Sequence, residues 1–193
     1  MKNIAGLKHY ITRMLENELS DLLTYHRVHH TLSVLDVCQQ YIERMHVPPP
    51  DAYLLRTAAL MHDTGYLVSS KNHEEESVRI ARNILPEWNY SDPEIARING
   101  MIRATRIPQK PLNILECILC DSDLDYLGTD RFYPVSQTLF RELMNLNVIG
   151  SEKEWDEMQI TFLQNHSYHT PYAKKHREPV KQQHLAELIK LHT

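Results

Sequence analysis

The chain has 193 residues, of which 42% are hydrophobic and 24% charged, and it carries a formal net charge of −4 at pH 7. This composition is typical of an ordinary globular protein, and its charge balance gives no general attraction to long nucleic acids or to anionic membranes. The spacing of its five glycines excludes the glycine-rich dinucleotide loop, the phosphate-binding P-loop and the nucleophile elbow.

Apolar residues recur at intervals of three and four along the chain, and alternating, strand-like stretches are scarce. This periodicity predicts an all-α fold, in one compact domain of about eight or nine helices over residues 1–193. In chain order the predicted helices cover residues 3–18, 24–45, 51–63, 72–85, 92–105, 111–127, 134–147, 151–167 and 179–191.

Local signals mark several helix starts. Ser91 with Glu94, and Ser151 with Glu154, have the spacing of a capping box, in which hydroxyl and carboxylate satisfy the first free amides of a helix. Three prolines at 48–50 predict a rigid connector that ends in a helix cap at Asp51.

Histidine is the unusual residue of this composition, with 12 copies, seven of them before residue 74. On the predicted helix 24–45, His30 falls inside the apolar arc and His26 lies one turn earlier, near its edge. His62 falls within the buried stripe of the next helix, and Asp63 follows it directly. Because a buried, uncompensated carboxylate is costly, and imidazole and carboxylate both bind divalent metals, this pattern points to a metal site.

A third element is apolar nearly all round and ends with three aspartates, at 121, 123 and 125. Asp121 and Asp125 share one face of a helix, whereas Asp123 faces away from them. Spacing alone therefore leaves open which aspartate turns towards a site.

Together, His30, the His62-Asp63 pair within ALMHDTGYL and the aspartates of CDSDLDYLG resemble the H…HD…D signature of HD-domain metal-dependent phosphohydrolases. The resemblance covers about Tyr25 to Gly128 and implies an all-helical fold with its metal-site core at about 25–128, on which helices of 129–193 pack. It implies that His30, His62, Asp63 and Asp123 hold a divalent metal, with Asp121 as the alternative ligand.

The same resemblance implies roles for further residues. Arg27, three residues before His30, would bind the substrate phosphate. In the reaction that we expect, Asp63 would also orient the attacking water, and His26 would join Arg27 in binding the phosphate and neutralising its charge. His73 resembles a histidine that assists catalysis or binds a second metal in some members. Where two-metal members carry a further histidine, this chain has Thr105, so we expect about one metal per chain, with Mn, Fe, Co, Ni, Zn and Mg all open.

The predicted function is hydrolysis of a phosphate ester of a nucleotide or another small molecule, with monoester and diester cleavage both open. One alternative is a non-catalytic nucleotide-binding regulatory module with the same fold, and a second is an HD-type di-iron oxygenase. The start of the chain has no apolar signal core, no segment has the length of a membrane span, and the three cysteines suit free thiols. We therefore expect a cytoplasmic protein with a small phosphorylated substrate and no membrane or long nucleic-acid partner; its oligomeric state is open.

Overall fold

The computed structural model describes residues 2–191, and every regular element in that range is a helix, which confirms the predicted all-α class. It contains ten α-helices and three short 3-10 helices, and no helix in this range has the length and apolar character needed to cross a membrane. The α-helices are α1 (Ile4–Glu18), α2 (Val28–Arg44), α3 (Pro49–Met61), α4 (His73–Ile84), α5 (Asp92–Ala104), α6 (Ile114–Asp123), α7 (Phe132–Asn145), α8 (Glu152–Asn165), α9 (Pro171–His176) and α10 (Glu178–Leu191). The 3-10 helices are Thr64–Leu67, Leu85–Trp88 and Asp125–Gly128.

The chain forms two compact units, one from Met1–Ser20 and His26–Asp123 and the other from Asp21–Tyr25 and Leu124–Thr193. In the first unit, α3 is the central helix and packs against α1, α2, α5 and α6. Its sequence explains this position, because α3 is apolar almost all round and buries residues on every side. Helices α2, α3 and α6 also pack against one another in all three pairs.

The second unit contains α7 to α10, and α10 packs against α8, α9 and the 3-10 helix that precedes α7. The side chain of Lys181 is fully buried there, where its ammonium lies 2.9 Å from Glu178 Oε1 and donates to the His166 carbonyl. These partners compensate the cost of burying the charge. His184 stacks on Phe132, with ring centroids 4.7 Å apart.

Most predicted helices exist with ends within two residues of their predicted bounds, but α2 starts late. The helix predicted over 24–45 begins only at Val28. Before it, the Tyr25 amide donates to Glu142 Oε2 at 2.8 Å. The backbone of Arg27 is extended (φ −115°, ψ 175°), and a helix cannot continue through such a residue, so His26 lies in the segment before α2 and not on the helix.

The helix predicted over 51–63 starts early, at Pro49, and the cap is Pro48 where we expected Asp51. The Ala52 amide closes the first turn by donating to the Pro48 carbonyl at 2.9 Å. The prediction of a non-helical proline connector was wrong because amides in the first turn have no helical partner, so proline loses nothing there.

The capping box at the start of α5 is present, with both the Ser91 and the Glu94 side chains bonded. At α8 only half of it forms. Ser151 Oγ accepts from the Glu154 amide at 3.2 Å, but the Glu154 carboxylate accepts from the Gly150 amide at 2.7 Å.

Two elements near the C-terminal half differ from prediction. The helix expected over 111–127 is shorter, because α6 ends at Asp123 and a 3-10 turn follows. Helix α9 was not predicted, although the pair Thr170-Pro171 carries its signal. Thr170 Oγ1 accepts from the Ala173 amide at 3.1 Å, and proline occupies the first helical position.

Candidate metal centre

Four side chains at the ends of three helices of the first unit converge on one point. His30 lies in the first turn of α2, His62 caps the C-terminus of α3, Asp63 follows it, and Asp123 is the last residue of α6. His30, His62 and Asp63 are buried, and Asp123 is half-buried. The predicted ligand set is therefore placed together by the packing of α2, α3 and α6.

The distances within the cluster are short. Asp63 Oδ2 lies 3.2 Å from His30 Nε2 and 3.1 Å from His62 Nε2. Asp123 Oδ1 lies 3.1 Å from His30 Nε2 and 3.4 Å from His62 Nε2. One ligand atom from each of the four residues lies within 4.8 Å of all the others. Two imidazole nitrogens and two carboxylate oxygens thus surround a common centre.

The tautomer of His62 suits metal binding. Its Nδ1 lies 2.9 Å from the Ala59 carbonyl oxygen, and a carbonyl only accepts hydrogen bonds. Nδ1 of the neutral ring therefore carries the hydrogen, and the lone pair is on Nε2, which faces the cluster. An imidazole held by a backbone carbonyl in this way is the usual arrangement of a metal-ligating histidine.

The buried atoms of the cluster fit a cation. Among the described residues, neither His62 Nε2 nor Asp63 Oδ2 has a hydrogen-bond partner in suitable geometry, although the two atoms are 3.1 Å apart. Buried polar atoms in this state are costly unless something satisfies them. A divalent ion at the centre of the cluster would be bound by all four residues and would match the charge of two carboxylates.

The four groups also perturb one another's protonation. Burial opposes the charged form of His62, but the Asp63 and Asp123 carboxylates outweigh burial and raise the pKa of His62 well above its usual value. They raise the pKa of His30 in the same way. Burial opposes ionisation of Asp63, yet His62 and His30 hold the pKa of that carboxyl well below its usual range. The pKa of Asp123 is lowered by the same imidazoles.

His73 lies beside the cluster and not within it. It begins α4, and its Nε2 is 3.6 Å from Asp63 Oδ1, the oxygen that does not join the four-atom group. The same nitrogen is 3.6 Å from Glu74 Oε1, and Nδ1 is 3.4 Å from the Ser70 carbonyl. About 20% of the His73 side chain is exposed, so this ring connects the buried centre with solvent.

The two predicted substrate-binding residues lie at the start of α2. Arg27 is the half-buried N-cap residue of this helix. Its carbonyl accepts a hydrogen bond from the His30 amide at 2.9 Å. The ring of His26 meets that of His30 edge-on, with centroids 5.8 Å apart. Both residues are thus next to a proposed metal ligand.

The other residues considered from the sequence lie outside the cluster. Asp121 is fully buried on α6 and is not among the four converging residues. Asp125 forms an ion pair with Arg177 at 2.7 Å, within the second unit. Thr105 caps the end of α5, and its hydroxyl donates a hydrogen bond to the Ile102 carbonyl at 2.8 Å.

Sequence reasoning missed Tyr66, although it is part of the motif quoted above. Its ring stacks on both His26 and His73, with centroids 3.9 Å and 4.3 Å away. Gly65 allows this approach, because a Cβ atom there would lie 1.9 Å from the His73 carbonyl oxygen. The signal in the sequence was Gly65, two residues after the His-Asp pair, since a glycine there indicates a close backbone contact.

Comparison with known proteins agrees with this geometry. The family model of the HD domain matches residues 27–125, more than half of the chain. A crystal structure from an uncultured Thermotogales bacterium, described as a predicted HD superfamily hydrolase, has the same fold, with a TM-score of 0.62 and 19% sequence identity over 97% of this chain and 95% of that one. A search of curated proteins gave no match.

Proposed function

The chain belongs to the HD-domain family, and on that premise we propose that it is a metal-dependent phosphohydrolase that cleaves a phosphate ester of a nucleotide or another small molecule. The observation that carries the proposal is the convergence of two imidazoles and two carboxylates within 4.8 Å, three of them buried. The structural neighbour's description as a hydrolase supports the same reaction class.

His30, His62, Asp63 and Asp123 would hold one divalent metal ion per chain. When bound there, such an ion lowers the pKa of a water ligand and polarises a phosphoryl oxygen, which favours in-line attack on phosphorus. The ligand set suits Mn, Fe, Co, Ni or Zn, and Mg is a further candidate. A single ion is proposed because Thr105, in place of a further histidine, has its hydroxyl bonded to its own helix.

Asp63 has two separate tasks in this proposal. Its Oδ2 belongs to the ligand group, and its Oδ1 is directed towards His73 Nε2, 3.6 Å away. We propose that this second oxygen accepts a hydrogen bond from the attacking water and orients it. His73 would hold or transfer a proton at Nε2, which is the role of a general acid or base.

The substrate phosphate would bind at the start of α2. A guanidinium offers paired donors that match phosphate oxygens, so Arg27 is proposed to bind the ester from the helix N-terminus. His26 is proposed as its neighbour in the same subsite, because its ring adjoins that of His30. Both would stabilise the negative charge that develops in the transition state.

The test combines metal analysis with turnover. Metal content is measured by elemental analysis of the wild type, and the same metal-loaded samples are assayed on p-nitrophenyl phosphate, bis(p-nitrophenyl) phosphate and nucleoside monophosphates. We expect about one metal per chain and hydrolysis of one ester class. In His62→Ala the metal and the activity are lost, and in the nearly isosteric Asp63→Asn the activity is lost with the fold intact.

The matched control is His9→Ala, which removes an exposed histidine on α1 and should change neither metal content nor turnover. A wild type that binds nucleotide but hydrolyses none of these esters at any metal loading would refute the hydrolase and favour a binding module.

A further inference from the structure

Tyr66 links two histidines that come from different segments. Its ring lies 3.9 Å from that of His26 at an interplanar angle of 18° and 4.3 Å from that of His73 at 26°. The two imidazoles are 6.1 Å apart, so each meets Tyr66 more closely than it meets the other. We call His26, Tyr66 and His73 the ring stack.

Each end of the ring stack reaches a proposed metal ligand. At one end, His73 Nε2 is 3.6 Å from Asp63 Oδ1. At the other, the His26 ring is 5.8 Å from that of His30. A change in the orientation of either imidazole would therefore alter a group that faces the centre.

The backbone under Tyr66 is fixed. The Tyr66 amide donates to the Asp63 carbonyl at 3.1 Å, and the preceding Gly65 amide donates to Ser77 Oγ of α4 at 2.7 Å. The 3-10 turn that carries Tyr66 is thus attached both to a proposed ligand and to the helix that begins with His73. The backbone that carries the Tyr66 ring is therefore held at two points beside the imidazoles that the ring contacts.

Among the residues that the structure describes, the polar contacts of the His73 imidazole are long. Its Nδ1 contact with the Ser70 carbonyl is long, at 3.4 Å, and its two carboxylate contacts on Nε2 are 3.6 Å each. Hydrogen bonds weaken at these distances, and the terminal torsion of histidine has broad minima. The stacked contact with the Tyr66 ring, at 4.3 Å, restricts this torsion.

We propose that Tyr66 is a positioning residue, which holds His73 and His26 by ring stacking in the orientations that the reaction needs. The proposal rests on the proposed hydrolase function for its kinetic consequences, but the stack itself is a structural statement. It predicts that the aromatic ring of Tyr66 matters and its hydroxyl does not.

The first part of the test is spectroscopic and needs no activity. Histidine ring resonances are recorded by NMR in the full chain exchanged into Zn²⁺, for the wild type, Tyr66→Phe and Tyr66→Leu. Because a stacked aromatic ring shields its neighbour, we expect the His26 and His73 ring protons to move downfield in Tyr66→Leu and to stay in place in Tyr66→Phe. The matched control is Tyr172→Leu, which removes a ring 4.7 Å from that of His176 and should move only the His176 resonances.

The second part is kinetic. Misplacing a general acid or base costs less than removing it, which typically costs about 10²–10⁴-fold, so Tyr66→Leu should lower kcat by about tenfold. It should also raise KM, through His26, while Tyr66→Phe stays within about twofold of wild type in both constants. In a His73→Gln background, Tyr66→Leu should change kcat by less than about twofold and still raise KM.

Three results would overturn the proposal. Unchanged His26 and His73 resonances in Tyr66→Leu would show that the stack does not hold them. A Tyr66→Phe variant as impaired as Tyr66→Leu would assign the role to the hydroxyl, and an undiminished loss of kcat in the His73→Gln background would show that Tyr66 does not act through His73. Absence of hydrolysis in the wild type would refute the proposed function, and the resonances alone would then decide for or against the stack.

Discussion

Gly65 is the position where one added carbon should do the most damage next to the candidate metal centre. In Gly65→Ala, the new Cβ would lie 1.9 Å from the His73 carbonyl oxygen and 2.8 Å from the Ser77 amide nitrogen. Both are backbone atoms, so neither can rotate away. The 3-10 turn Thr64–Leu67 must therefore separate from α4 by on the order of 1 Å, since ordinary van der Waals contact needs about 3.5 Å.

The cost can be worked out from the contacts that this shift breaks. Overpacking of a filled interior costs about 1–3 kcal/mol, and loss of the 2.7 Å bond from the Gly65 amide to Ser77 Oγ costs about 1 kcal/mol more. We expect the free energy of unfolding to fall by about 2–4 kcal/mol. Because Asp63 precedes this turn and His73 is displaced from it, metal affinity should weaken by about 10–100-fold.

Urea unfolding of the metal-free protein measures the first quantity, and metal titration of the folded variant measures the second. The matched control is Gly150→Ala, whose Cβ would lie 3.8 Å from the nearest atom, a Glu154 carboxylate oxygen. That variant should unfold within about 0.5 kcal/mol of wild type. Equal stabilities for the two alanine variants, with unchanged metal affinity, would show that the close approach of the turn to α4 is wrong.

Three further predictions follow from the same structure. Asp123→Asn should lose the metal by elemental analysis and Asp121→Asn should keep it, because only Asp123 belongs to the converging group; the reverse result would reassign the ligand. Metal binding should release protons and should weaken as pH falls, because the raised pKa of His62 leaves its ring protonated in the metal-free protein. Calorimetry in buffers of different ionisation enthalpy measures the proton release, and binding without it would contradict this prediction. Cys117 should be alkylated well before Cys38, because burial raises the pKa of the Cys38 thiol to about 12; equal labelling rates in the folded protein would argue against that burial.

The two histidines of the candidate centre could be predicted because they lie within or at the end of regular helices. Helical periodicity reports the direction in which a side chain points, and it placed His30 and His62 inward, where the structure buries both. The adjacent Asp63 follows from the chain itself. Periodicity thus identifies a buried polar residue, and the cost of burying it without a partner indicates that a partner lies nearby.

Periodicity cannot choose between residues on a helix that is buried on nearly all sides. Asp121 is fully buried on α6 without joining the cluster, so burial does not single out Asp123. We predicted His26 on α2, but it lies before the helix, because the backbone of Arg27 is extended and the helix begins only at Val28. Tyr66 follows the end of α3, where no helical period predicts what its ring meets.

The ends of the three helices also bias the centre electrostatically. His62 and Asp123 lie at the C-termini of α3 and α6, where unpaired carbonyls carry partial negative charge, whereas Arg27 and His30 lie at the N-terminus of α2, where amides carry partial positive charge. The C-terminal ends add to the two carboxylates and favour a cation, by about 0.3–1 kcal/mol each. The N-terminal end of α2, which brings His30 into the cluster, opposes a cation there and favours an anion on the side where Arg27 lies. Two of the three helix ends would thus favour a bound metal, and the third would favour a substrate phosphate beside Arg27.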